Sequence, residues 1–171
     1  MSVVGRAVSR RQACGLVAFS ALMLSGRPAR AAEASLAVTW QTAGGQVLDT
    51  RTLSLADLDR LPQASLTTQT PWTTEPQTFT GPLLSTLAAL GGAASAAEIE
   101  ALNDYSAHVP ATDWTQYGIV LSTRIDGRTL RVRDRGPFWL IYPLSQMPEL
   151  DQQIYHARMV WQIRRIAFIA A

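Results

Sequence analysis

The only cysteine in this 171-residue chain is Cys14, and it falls inside a segment that reads as an export leader. Arg6, Arg10 and Arg11 form a basic start, Ala13 to Leu24 is apolar, and Ala29-Arg30-Ala31 supplies the small-x-small pattern of a cleavage site. The apolar run is about a dozen residues long, short of the roughly 20 that a membrane-spanning helix requires. We therefore expect residues 1–31 to be a cleavable signal peptide that leaves no membrane anchor. Residues 32–171 are expected to be a single exported, periplasmic domain. Ser9-Arg10-Arg11 is compatible with the general secretory route or with a twin-arginine receptor. A domain without a thiol has no disulfide staple, so core burial alone must hold it together.

Removing the leader also changes the charge. Residues 1–31 carry five Arg and no acid, leaving ten Arg, no Lys and thirteen Asp plus Glu, a formal charge of −3. The basic pI of 9.1 for the whole chain thus comes mostly from the leader. It gives no reason to expect a nucleic-acid partner, which needs a basic face on the mature domain.

Short apolar runs separated by Pro and Gly dominate the rest. Leu36–Trp40 and Gln46–Thr52 read as strands around a Gly44-Gly45 turn. Ser54 is placed to cap a short helix through Arg60, with Asp57 in its first turn and Pro62 as its stop. Gln63–Thr70 and Gln77–Thr80 read as extended, with a loop from Pro71 to Pro76 and a turn at Gly81. Leu83, Leu84, Leu87 and Leu90 have helical spacing, with Pro82 at the first position and Gly91-Gly92 as the stop. Ala93–Ala97 reads as a loop or an extra turn, Ile99–Leu102 as a short strand and Ser106–Val109 as extended. Thr112 can cap one helical turn over Asp113–Tyr117. Gly118–Arg124 reads as a buried strand, Asp126-Gly127 as a hairpin turn and Thr129–Val132 as the return strand. Phe138–Tyr142 reads as a strand and Leu150–Arg158 as a short helix. Met159–Ile169 reads as a strand whose apolar parity shifts at Arg164-Arg165, the signature of a bulge. The pattern is an α+β domain, a β-rich mixed sheet with two or three short helices.

Few residues carry a chemical signature. His108 and His156 are far apart and have no cysteine beside them, so no metal site is expected. There is no Gly-x-Ser-x-Gly elbow, Glu98 and Glu100 share one strand face turned toward solvent, and Gly91-Gly92 is a helix stop. We assign no catalytic residue and no metal ligand. Arg124, Arg128, Arg131, Arg133 and Arg135 form the densest charge cluster. Arg131, Arg133 and Arg135 would share one face of an extended strand. That face is either simply solvated or binds an anion through Arg forks, with Arg133 and Arg135 the best candidates beside Gly136-Pro137. Asn103-Asp104-Tyr105 either closes a local turn or presents the polar tips of Asn103 and Tyr105 to a pocket, with Asp104 paired to one of the Arg residues. Trp139 and Trp161 read as core, whereas Trp72, flanked by Pro and Thr, reads as exposed and available for a contact.

One ordered series of motifs resembles a known family. Phe79-Thr-Gly-Pro-Leu-Leu, Ala101-Leu-Asn-Asp-Tyr, Leu121-Ser-Thr-Arg-Ile-Asp-Gly-Arg, Arg133-Asp-Arg-Gly-Pro-Phe-Trp-Leu-Ile-Tyr-Pro and Trp161-Gln-Ile-Arg-Arg-Ile together resemble the oxidoreductase molybdopterin-binding domain of the sulfite-oxidase type. The likeness runs from about Leu66 to Phe168 and is closest to a short, stand-alone exported version. It implies a sulfite-oxidase-type fold, a molybdopterin pocket near the Arg segment, and Asn103, Tyr105, Arg133 and Arg135 as its candidate lining. It also implies a molybdenum-ligating cysteine shortly before the Gly-Pro-Leu segment, where this chain has Leu66-Thr67-Thr68-Gln69-Thr70. Thr68 or Gln69 stands where the thiolate would, and neither substitutes for a soft sulfur ligand. The expectation is therefore a module without bound cofactor that takes a small anion or a periplasmic or membrane protein partner. The alternative is a molybdopterin-dependent oxidoreductase with non-cysteine ligation.

Overall fold

Strand β1 (Ser35–Gln41) alternates strictly, with Leu36, Val38 and Trp40 buried and their neighbours half-covered or exposed. This is the period of a half-buried strand. Together with β2 (Val47–Ser54), β5 (Ala94–Ala101), β6 (Ser106–Pro110) and β11 (Ile163–Ala170) it forms a five-stranded sheet in the order β2-β1-β11-β5-β6. The β1–β11 pair is parallel and the others antiparallel, so the sheet is mixed. The register sets Trp40 opposite Phe168, and their rings stack at 5.8 Å.

The computed structural model describes Met1 and residues 34–171. The signal-peptide reading, with Arg10, Arg11, Cys14 and the cleavage pattern at Ala29–Ala31, lies outside the described residues. No helix among those described is long and apolar enough to cross a membrane.

Strands β3 (Gln63–Thr68), β4 (Gln77–Pro82), β8 (Arg124–Ile125) and β9 (Arg128–Thr129) make a second sheet, and β7 (Val120–Ser122) pairs with β10 (Trp139–Ile141) in a third. Four short helices accompany them: α1 (Leu55–Asp59), α2 (Leu84–Ala89), α3 (Ala111–Gln116) and α4 (Gln153–Arg158). The α1 start is a capping box. Ser54 Oγ accepts from the Asp57 N–H at 3.2 Å, and the Asp57 carboxylate accepts from the Ser54 N–H at 3.0 Å. The bulge expected at Arg164-Arg165 is present: the β11–β5 register slips between Ile163 and Arg165, and both arginines face outward.

Five local expectations give way. Gly81 is not a turn but lies within β4, because the backbone there runs against Leu121, where a Cβ would collide with the Leu121 carbonyl. Pro82 closes that strand, and α2 begins two residues later. Ala93–Ala97 is not a loop; residues from Ala94 on belong to β5, where small side chains fit beneath β11, with Ala97 opposite Phe168. Thr112 lies inside α3, whose first position follows Pro110 and has no side-chain cap. The return strand is only Arg128–Thr129, and Val132–Asp134 winds into a 3-10 turn. That turn forms because the Asp134 and Gly136 N–H groups both donate to the Arg131 carbonyl at 2.8 Å. Arg131, Arg133 and Arg135 therefore do not share a strand face.

The core gathers Phe79, Phe138, Trp139, Tyr142 and Phe168, all with no exposed surface. One ionic group sits within it. Asp113, buried on α3, accepts from the Tyr142 hydroxyl at 2.7 Å and from an Arg158 guanidinium N–H at 2.8 Å. It thereby ties α3, the segment after β10 and the end of α4. Burial first, and the hydrogen bond to Asp113 second, push ionisation of the Tyr142 hydroxyl far above its ordinary range.

Candidate functional site

Three tryptophans meet at one place. Trp72 comes from the β3–β4 loop, Trp139 from β10 and Trp161 from the turn before β11. Trp72 and Trp161 stand edge-on at 4.9 Å, and Trp139 lies 6.0 Å from Trp72 and 6.3 Å from Trp161. Trp139 is locked by its indole N–H, which donates to the Met159 carbonyl at 3.1 Å. Trp72 is half-buried against this cluster rather than exposed, and Trp161 is half-buried rather than core. The extra cover and the extra exposure have one cause, since the two rings lean on each other at the surface.

Arg135 rests on the cluster. Its guanidinium carbon lies 5.4 Å from the Trp139 ring centroid and 5.8 Å from that of Trp161, within cation–π range. Its backbone is left-handed, with φ 66° and ψ 10°, a conformation that costs a non-glycine residue about 1–2 kcal/mol. Gln162, also left-handed at φ 53°, holds it there. The Gln162 N–H donates to the Arg135 carbonyl at 3.0 Å, and its side-chain amide donates to the Val132 carbonyl at 2.8 Å.

The four sequence candidates fall in two places. Arg133 and Arg135 line an open groove of about 530 Å³ together with Arg128, Arg131 and Gln77. Arg131 is neutralised by Asp134 at 2.6 Å, while Arg133 reaches the same carboxylate only at 4.0 Å. Arg135 pairs with no carboxylate among the described residues. Asn103 and Tyr105 line a different pocket, of about 310 Å³, with Trp72, His156, Met159 and Trp161. The local-turn reading also holds there: Asn103 Oδ1 accepts from the Tyr105 N–H at 3.3 Å, and Asp104 is left-handed. Asp104 does pair with an arginine, but with Arg164 of β11 at 2.7 Å and not with the Arg-rich segment. Trp161 links the two places, since it lines the pocket and also carries Arg135. Sequence reasoning missed Trp161, Met159 and His156 as lining. No local pattern marks these residues, because the packing of Trp72 on Trp161 that brings them together is tertiary.

The place of the expected thiolate lies on the far side of His156. Thr68 has no exposed surface. Its hydroxyl accepts from the Ser145 N–H at 3.0 Å and lies 3.1 Å from the Ser145 hydroxyl, and the Gln69 N–H donates to the Ser145 hydroxyl at 2.9 Å. The Gln69 side-chain amide donates to the Thr73 and Thr74 carbonyls at 3.3 and 3.2 Å. The Thr68 hydroxyl is thus engaged by protein rather than turned to an open site. Beside it opens a cavity of about 430 Å³ lined by Gln69, Ser145, Asp151 and His156, in which His156 Nε2 is 2.8 Å from Asp151 Oδ1. No three His, Cys, Asp or Glu side chains among the described residues are grouped to hold a metal ion. These hydroxyl and amide donors do not fit a thiolate-ligated molybdenum centre.

No family model matches the chain, and no curated protein matches it in sequence. Among solved structures, the sulfane dehydrogenase SoxCD from Paracoccus pantotrophus matches over 80% of this chain with a TM-score of 0.56 at 15% sequence identity. The chain spans 38% of the length of that enzyme's chain. The β-rich α+β scaffold read from the sequence motifs is thus the scaffold found, and the likeness extends to the fold alone.

Proposed function

We propose that this chain is a periplasmic binding module built on an oxidoreductase scaffold, and that it takes a small anion at the Arg-rich loop rather than catalysing redox chemistry at a molybdenum centre. The observation that carries this reading is Thr68, a buried hydroxyl engaged by Ser145, which with Gln69 is one of the two positions where the resemblance would put an open thiolate. A scaffold that has filled its ligand position with internal hydrogen bonds keeps its surfaces for recognition. Arg135 supplies the recognition element, a guanidinium fixed against two indoles and unpaired among the described residues, with Arg133 beside it in the groove. Such a fork binds an oxyanion in a bidentate way. A protein partner presenting a carboxylate would use the same group.

The test is to purify the protein from the periplasm of a host that makes the molybdenum cofactor, then measure molybdenum by elemental analysis and pterin by fluorescence after oxidative release. Metal-free, pterin-free protein is the expected result. A stoichiometric signal for either would establish the alternative, a molybdopterin-dependent oxidoreductase with non-cysteine ligation. Calorimetric titration with sulfate and phosphate then reads the groove directly, and the double change Arg133→Ala, Arg135→Ala removes the binding.

A further inference from the structure

The five-stranded sheet has two edges, and they are unlike. β6 is five residues long, ends in Pro110 and runs straight into α3. A short strand closed by proline is one way an edge is kept from pairing with another chain. β2 has eight residues with no Pro and no Gly. Among the described residues no strand pairs with its outer side, and Val47, Leu48, Thr50, Arg51 and Thr52 are exposed. A strand this long and bare is a template for a further strand.

The strand also carries its own register. The Thr50 N–H donates to Asp49 Oδ1 at 2.8 Å, so a side chain covers it and β1 does not. Asp49 and Arg51 flank Thr50 and share one face, opposite Trp40 and Val38 of β1. Within the single chain they pair at 2.9 Å. Arg51 is also held over the Trp40 ring at 5.2 Å and donates to the Leu90 carbonyl at 3.1 Å. Reversing the strand about Thr50 exchanges the positions of Asp49 and Arg51. Laid antiparallel on a copy of itself about that point, the strand sets each Asp49 opposite an Arg51 and each exposed Val47 opposite a Leu53. Opposite charges directly across an antiparallel pair stabilise it by about 0.2–1 kcal/mol each, and like charges there destabilise it. The registers centred on Asp49 or on Arg51 set like charges against each other, so charge selects the one centred on Thr50.

We propose that two copies of this domain join edge to edge through β2, antiparallel, with Thr50 of one copy against Thr50 of the other and Asp49 and Arg51 paired reciprocally across the two-fold axis. The Thr50 N–H then passes from the Asp49 carboxylate to the backbone of the second copy, which frees that carboxylate for the facing Arg51. None of these residues lines the Arg-rich groove or the pocket beside the tryptophans, and the proposal does not depend on what either of them binds.

Sedimentation velocity of the exported protein from about 5 µM to 1 mM reads the equilibrium, and a dimer with a Kd of roughly 10–100 µM is expected for a small interface of one strand pair. Asp49→Arg sets arginines against each other and Arg51→Asp sets aspartates against each other. Each change alone should weaken self-association at least tenfold, with the thermal midpoint of the monomer little altered. An equimolar mixture of the two variants places arginines opposite aspartates at both contacts and should restore a mixed dimer of nearly the original affinity. In the unaltered chain, amide exchange in β2 should slow as concentration rises while exchange in β6 does not. That measurement, with Asp49→Arg, which leaves Arg51 on Trp40, carries the test even if Arg51→Asp does not fold. A chain still monomeric at about 1 mM, far above the expected Kd, would overturn the proposal. So would a dimer indifferent to both changes, or folded, monomeric variants that fail to associate when mixed.

Discussion

The five-stranded sheet and the Arg-rich loop pair their backbone groups by opposite means. In the sheet, ladder bonds run along the strands with slips at Trp40/Gln41, Ile163/Arg165 and Ile169/Ala170, and among the described residues none of the four non-glycine residues with positive φ lies within one of its strands. In the loop, two left-handed residues, Arg135 and Gln162, hold each other through a single backbone bond and one side-chain amide. The sheet follows local preference, whereas the loop is kept in shape against it by its surroundings. Strain that is retained beside a groove and a pocket marks the part of the molecule whose geometry matters for more than stability.

The sharpest way to break this comparison is to damage each region once. Arg158→Ala leaves Asp113 buried with only the Tyr142 hydroxyl as a partner. Removing one member of a buried ion pair costs about 3–5 kcal/mol, which urea unfolding should resolve as a lower midpoint with an unchanged slope. Arg135→Ala removes a guanidinium from the loop and should cost less than about 1 kcal/mol, while anion affinity in the groove falls at least tenfold. Equal destabilisation by the two variants would mean that the loop is part of the scaffold after all.

Thr68 tests the boundary between the regions. Thr68→Val keeps the volume but strands the Ser145 N–H without its acceptor, at a cost of about 1–3 kcal/mol. Thr68→Cys restores the sulfur that the sulfite-oxidase resemblance calls for. In a host that makes the molybdenum cofactor the purified variant should still be metal-free, because Ser145 and Gln69 beside it offer only hydroxyl and amide groups engaged with one another and with Thr68. Molybdenum in Thr68→Cys but not in the unaltered chain would show that a single substitution separates a binding module from a loaded enzyme.

What the sequence disclosed follows the same division. Leu36, Val38 and Trp40 announce β1 by alternation, Ser54 and Asp57 announce α1 by their reciprocal cap, and the parity slip at Arg164-Arg165 announces the bulge, because each is a local rule obeyed locally. The failures are non-local. Gly81 looks like a turn until β7 is known to press against it, and Ala94–Ala97 looks like a loop until Phe168 is known to need small neighbours. The site divided in the same way. Asn103, Tyr105, Arg133 and Arg135 stand out singly, but their separation into a neutral pocket and a basic groove depends on Trp72, Trp139 and Trp161, brought together from the β3–β4 loop, β10 and the turn before β11, which no spacing rule encodes.

The smallest predicted effect concerns how the second sheet is tied to α1. Arg124 of β8 donates to both oxygens of Asp59, at 2.6 and 2.7 Å. This hydrogen bonding holds the Asp59 carboxyl below its ordinary value against the opposing effect of burial, with the charge of Arg124 adding a smaller lowering. A carboxyl whose folded-state value is depressed stabilises the fold fully above its unfolded value of about 3.9 and loses that contribution as pH falls through the folded one. Asp59→Asn should therefore cost about 0.2–1 kcal/mol at neutral pH, the range for a partly exposed pair. Chemical denaturation repeated from pH 7 down to about pH 3 should show the two proteins converging as Asp59 takes up its proton. If instead the difference were independent of pH, the tie would rest on the geometry of the hydrogen bonds and not on the charge.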